Sequence, residues 1–342
     1  MADLTRKLPR FVERIDRLRH TFDIPGLSLA LLRNQQVVYA TGLGHADVEQ
    51  GTRADEHTPY MIASLSKTLA STLLLQQVEA GKLDLDRPIA AYLPDYEGFC
   101  REIEQSDLPL AQDYNWRTEE ITVRHHLTHT SQGRPGTGYR YNTLIFKPLS
   151  LVLETITGRR YRDLLVERIF KVANFTESAP ELLDEEFSAV VARMARPQQY
   201  DDERGYVAVA PPDYPRVTAS AGVISTVLDL ARFDIAFDRG VFLSPESHAL
   251  AWTPMRSRDG RRLPYALGWF VQDAPDGDYV WHYGWHMGGY SSLYLKLPAQ
   301  GWTFLLLTNS ERASAPFGLR EGDVLRSPFA VLFLDLIVGQ PL

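Results

Sequence analysis

Strand-forming sequence sits at the two ends of this 342-residue chain, and helical sequence fills the middle. Near the start, Leu27–Leu32 and Gln36–Tyr39 are short β-prone runs around Arg33-Asn34-Gln35, a plausible hairpin. Near the end, Tyr265–Gln272, Tyr279–His282, Ser291–Leu297 and Thr303–Thr308 give four more candidates separated by turns. Helices are expected over Thr5–Phe22, where Leu8, Phe11, Val12, Ile15 and Leu18 recur at helical spacing, and over Ser64–Ala80, which Gly81 ends. Val123–His129, Ile145–Thr157 with Gly158 as cap, and Tyr161–Ala173 follow. Ser225-Thr226 with Asp229 opens a helix to Asp238, and Ser327-Pro328 opens an amphipathic terminal helix. Asp95–Glu120 carries eight acids against two bases and reads as a long acidic loop; Asp201–Pro215 reads as a connector. No internal repeat is visible.

Composition narrows the function classes. The net charge of −7 offers no electrostatic footprint for nucleic acid. One cysteine, Cys100, excludes an intrachain disulfide and a Cys-rich zinc site. No run approaches the ~18 apolar residues of a membrane helix. Met1–Arg19 is charged and lacks the apolar stretch of a signal peptide, which implies the cytoplasm, or the periplasm or exterior if a signal was removed.

Chemistry enters at Ser64-Leu65-Ser66-Lys67. On a helix, Lys67 lies one turn after Ser64 on nearly the same face. A serine hydroxyl needs a neighbouring base to attack a carbonyl, and a desolvated lysine can be one. Taken alone, the same four residues also describe a capping serine and a solvated lysine.

The surrounding segments resemble the serine β-lactamase and penicillin-binding-protein superfamily. The likeness is closest to class C β-lactamases, related carboxylesterases and D-alanyl-D-alanine carboxypeptidases. It runs through Ile24–Ala30, Tyr60–Leu69, Ile121–Ser131 and Ala221–Ala231, in family order, spanning roughly residues 24 to 310. The resemblance makes Ser64 the nucleophile and Lys67 its partner. It places the second-motif tyrosine at Tyr141, with Thr143 where the family has asparagine and Asn142 one residue early. The third motif falls at His282-Tyr283-Gly284, with His286-Met287-Gly288 as the other candidate. The backbone N–H groups of Ser64 and Trp285 would then form the oxyanion hole. A neutral histidine in place of the β-lactamase lysine removes a fixed charge that a carboxylate could use. Tyr283, Trp285 and Tyr290 suggest an aromatic wall suited to an apolar group.

His125, His126 and His129 lack a Cys or carboxylate to complete a metal set, and no metal or organic cofactor is expected. The resemblance implies an antiparallel β-sheet flanked by helices, α+β in class, with an inserted helical subdomain. Residues 1–88 and 216–342 would form the sandwich, 89–215 the insert, and their junction the site. The expected function is a serine hydrolase working through an acyl-enzyme, on small esters or amides. A β-lactamase, a D-alanyl-D-alanine carboxypeptidase or a D-aminopeptidase uses the same machinery. A catalytically silent binding protein is the alternative of another class. The acidic stretch at 95–120 could be a lid.

Overall fold

The two ends do meet. The computed structural model describes residues 2–105, 120–210 and 216–340. Its main sheet has seven strands, all paired antiparallel, in the spatial order Thr52–Arg53, Gln36–Asp47, Gly26–Arg33, Trp302–Thr308, Tyr290–Leu297, Tyr279–His286, Phe270–Gln272. The seam between the ends runs from Leu27 opposite Thr308 to Arg33 opposite Trp302. Leu27, Leu29, Ala30, Leu31 and Leu32 are all buried, so this central strand is covered on both faces and reads as a continuous apolar run.

Helices supply the cover. On one face Phe11 of helix Ala2–Thr21 meets Phe304 edge-on at 6.0 Å, and Phe333 of helix Pro328–Phe333 stacks on Phe304 at 5.0 Å. On the other face lies helix Val227–Asp238. Its Asp234 accepts from Tyr294 Oη at 2.6 Å and pairs with the buried Lys296, which also reaches Asp238 at 2.9 Å. Two cation–carboxylate contacts and a hydroxyl satisfy charges that would otherwise be costly to bury.

The hairpin turn places Asn34 and Gln35 at φ 48° and 61°, the left-handed conformation that two-residue hairpins require. The strand after it runs on to Asp47, well past Tyr39. Gly42 hides this continuation from a periodicity argument: a Cβ there would collide with the backbone of Ala54, so the strand needs a residue with no β propensity.

Four expectations need correction. Tyr96–Glu104 is a helix, not loop, with Asp95 accepting from Gly98 N at its start. Tyr96, Cys100 and Ile103 are buried at helical spacing, a stripe masked by the density of acids. The rest of the acidic stretch, 106–119, lies outside the described residues, and with it most of the lid reading. The expected connector begins inside a hairpin, Gln198–Asp201 with Gly205–Ala208, and its residues 211–215 lie outside the described residues. The strand expected from Tyr265 starts only at Phe270, because Gly268 turns the chain at φ +82° against Ser71. The helix from Tyr161 keeps α geometry only to Leu165 and widens to π geometry over Val166–Phe170.

Candidate active site

The Ser64 region is held from both sides. Strand Tyr60–Met61 pairs with Ile224–Ser225, then the chain makes a tight 3₁₀ turn over Ala63–Leu65 before helix Ser66–Glu79. Ala63 sits at φ 48°, an uncommon conformation for a residue with a Cβ. Ser66 fixes this turn: its hydroxyl donates to Ala63 O at 2.7 Å and accepts from Val223 N at 3.4 Å. Ser64 is therefore not a helix cap. Its side chain opens onto a cavity of about 190 Å³ lined also by Ala63, Tyr141, Thr143, Ala221, Tyr283, Trp285, His286, Met287 and Arg320.

Lys67 is fully buried one turn on. Its Nζ lies 2.9 Å from Ser64 Oγ, 2.9 Å from Ser220 O and 3.3 Å from Thr143 Oγ1. No carboxylate pairs with it among the described residues. Burial without a counter-charge lowers its pKa well below that of a free lysine. The lysine is thus not a solvated one.

Tyr141 faces the same point. Its ring centre is 5.4 Å from Lys67 Nζ, and its hydroxyl is buried with no well-formed hydrogen bond among the described residues. Burial raises the phenol pKa, and the nearby Ser64 hydroxyl opposes that rise. Thr143 reaches Lys67 as well. Asn142 does not join the wall: it is buried, and its Oδ1 accepts from Leu144 N at 2.9 Å, capping the turn Thr143–Phe146.

Strand Tyr279–His286 brings Gly284 against the serine turn. A Cβ on Gly284 would lie 2.5 Å from Ile62 O and would overlap Ser292 Oγ. Gly284→Ala is therefore expected to push the strand off Ala63 and cut turnover at least roughly tenfold, with a smaller loss of stability; kcat and thermal midpoint measured together check it. Tyr283 and Trp285, on the opposite side of the strand, line the cavity.

Two expected contacts are corrected. Tyr290 is fully buried and donates to Ala195 O at 2.7 Å, so it forms core rather than wall. His282 is also fully buried. Its Nδ1 lies 2.6 Å from Tyr283 O and its Nε2 2.7 Å from Tyr265 Oη, so both ring nitrogens are engaged inside the protein. Burial and the nearby Lys67 lower its pKa well below that of free histidine, which leaves the ring neutral.

Sequence reasoning missed two contributors. Ser220 acts through its carbonyl, which no side-chain pattern announces. Arg320 supplies the only fixed charge on the cavity wall among the described residues, from a run of short 3₁₀ turns. Glu311 accepts from Trp285 Nε1 at 2.9 Å and Gly288 N at 3.0 Å, fastening the end of the strand that carries Trp285 and the turn that follows it. The histidine group is dispersed in structural contacts: His125 lies beside Thr122 and His126 bonds Tyr96 Oη at 2.8 Å. Among the described residues no group of three or more His, Cys, Asp or Glu side chains could hold a metal.

A helix-covered antiparallel sheet with this serine–lysine turn at its edge defines a class, and comparison with known proteins agrees. The Beta-lactamase family model matches residues 11–324, and the chain belongs to that family. It is 24% identical to penicillin-binding protein 4* of Bacillus subtilis (strain 168), over 89% of this chain and 70% of that protein. The octameric penicillin-binding protein homologue from Pyrococcus abyssi superimposes with a TM-score of 0.76 at 21% identity, covering 97% of this chain and 78% of that one. The D-alanine carboxypeptidase AmpC from Burkholderia cenocepacia gives 0.70 at 19% identity, covering 90% and 94%. No helix among the described residues is long and apolar enough to cross a membrane.

Proposed function

We propose that this protein is a serine hydrolase that forms an acyl-enzyme on Ser64, acting on small esters with an apolar acyl group. The observation that carries the reading is the set of three contacts around Lys67 Nζ. A neutral amine has two protons and one lone pair. Donating to Ser220 O and Thr143 Oγ1 leaves the lone pair for the Ser64 proton. Lys67 would take that proton as Ser64 Oγ attacks the carbonyl; when the tetrahedral intermediate collapses and the ester C–O bond breaks, Tyr141 would give its phenolic proton to the leaving alcohol oxygen and regain one from Lys67 Nζ. The N–H groups of Ser64 and Trp285 would hold the tetrahedral oxyanion, and water would then release the acyl group. No metal or organic cofactor is assigned a step.

Esters are favoured by the wall. Tyr283, Trp285, Met287 and Ala221 are apolar contacts, and the engaged, neutral His282 brings no cation to a substrate carboxylate. Arg320 favours a second reading, hydrolysis of a peptide or amide that ends in a carboxylate. Among the described residues its only ion pair is with the adjacent, exposed Glu321, at 3.3 Å, which holds it weakly.

Turnover of p-nitrophenyl butyrate against nitrocefin tests the class of substrate, and strong nitrocefin turnover would overturn the ester reading. Arg320→Glu then separates the two readings. It is expected to leave p-nitrophenyl butyrate within about twofold and to raise KM for an ester bearing a terminal carboxylate roughly tenfold.

A further inference from the structure

Tyr141 sits in a loop with little regular structure, yet its phenol must reach Ser64 and Lys67 within a fraction of an ångström. One residue touches the loop on both sides of it. The carbonyl of His129 accepts from Arg140 N at 2.9 Å, and His129 Nδ1 accepts from Asn142 N at 3.2 Å. Between these two bonds the imidazole lies against the Tyr141 ring, with centres 4.3 Å apart. Phe146 and Tyr265 close around the same imidazole at 4.9 and 4.7 Å.

We propose that His129 is a positioning residue for Tyr141, clamping the backbone before and after it and buttressing its ring from behind. The proposal rests on Tyr141 being the proton-transfer group. Two further observations fit the clamp. Nδ1 can accept only if it carries no proton; burial, together with Lys67 and His282 nearby, lowers the pKa of His129 far enough to keep it so. The proton is then on Nε2, a buried atom with no hydrogen-bonding partner among the described residues. A purely structural histidine would gain by satisfying that N–H, whereas this one spends its geometry on Asn142 and Tyr141. His129 also holds φ 54°, a conformation that asparagine tolerates well.

That last point supplies the test. His129→Asn keeps an acceptor near the Nδ1 position and suits the backbone. His129→Phe keeps the ring contact and removes the acceptor. With p-nitrophenyl butyrate, His129→Phe is expected to lower kcat roughly 10–100-fold at unchanged KM, and His129→Asn to stay within about fivefold of the parent. Amide hydrogen exchange at Asn142 should be protected in the parent and in His129→Asn and fast in His129→Phe, with thermal melts confirming that both variants fold. Equal losses in the two variants, or no loss in either, would overturn the clamp. If the parent itself turns over no substrate, the catalytic reading fails, and exchange at Asn142 still decides whether His129 holds the loop. Unchanged exchange in His129→Phe would end the proposal by itself.

Discussion

Ser64→Ala is expected to fold as the parent does and to lose at least roughly 10⁴-fold in kcat on p-nitrophenyl butyrate, together with all labelling by a fluorophosphonate probe. The size follows from what remains. The proposed oxyanion donors and the cavity would survive the change, but Lys67 and Tyr141, in their proposed roles, would have no hydroxyl to activate, and groups that act as one unit are lost together. Folding should be unaffected because the turn is fixed by Ser66, whose hydroxyl spans Ala63 O and Val223 N. Ser66 is also the control. It is fully buried and committed to the backbone, so a probe adduct mapped to Ser66 rather than Ser64 would sink the assignment. A parent protein that takes up no probe and turns over no ester would return the chain to the silent binding reading, with the site kept as a scaffold.

Much of this arrangement was readable in the chain because short-range physics writes it there. The spacing of Ser64 and Lys67 is a helical turn, and the apolar stripe of Phe11 and Ile15 is a helix face; both follow from local geometry. Gly158 as a left-handed cap and Ser327-Pro328 as a helix start are equally local. What was not readable depends on groups without side-chain identity or on contacts between distant segments. Ser220 contributes a carbonyl. Arg320 arrives from a stretch of 3₁₀ turns that has no period to detect. Tyr290 and Trp285 lie on neighbouring strands, and sequence alone could not say that one faces Ala195 and the other the cavity. His282 kept its motif position, but only the packing of Tyr265, 17 residues earlier, beside its ring gives it a partner, which turns a wall residue into an internal one.

Lys67→Met should move activity and stability in opposite directions. Removing the amine takes the proton acceptor from Ser64, and kcat is expected to fall at least roughly 10³-fold. The fold should gain. In the parent the folded-state pKa of Lys67 lies well below its ordinary 10.5, because burial desolvates the ammonium and no carboxylate among the described residues pairs with it. Between those two values the unfolded chain binds a proton that the folded chain does not. Stability therefore rises with pH across that window, and at neutral pH the lysine opposes folding. Methionine fills a similar volume without that penalty. Its gain is set against the donor lost to Ser220 O, leaving a net increase of about 1 kcal/mol. Denaturation midpoints of parent and variant measured from pH 7 to pH 10 check this, since the difference should shrink as pH rises and lysine ceases to protonate in the unfolded chain. The same titration fixes the sign for catalysis. With an unprotonated amine as base, kcat/KM of the parent should fall tenfold per pH unit below the lowered pKa of Lys67 and level off above it. A variant less stable than the parent at every pH, or a parent most active in acid, would mean that Lys67 is held charged and that Tyr141 must take the proton from Ser64 itself.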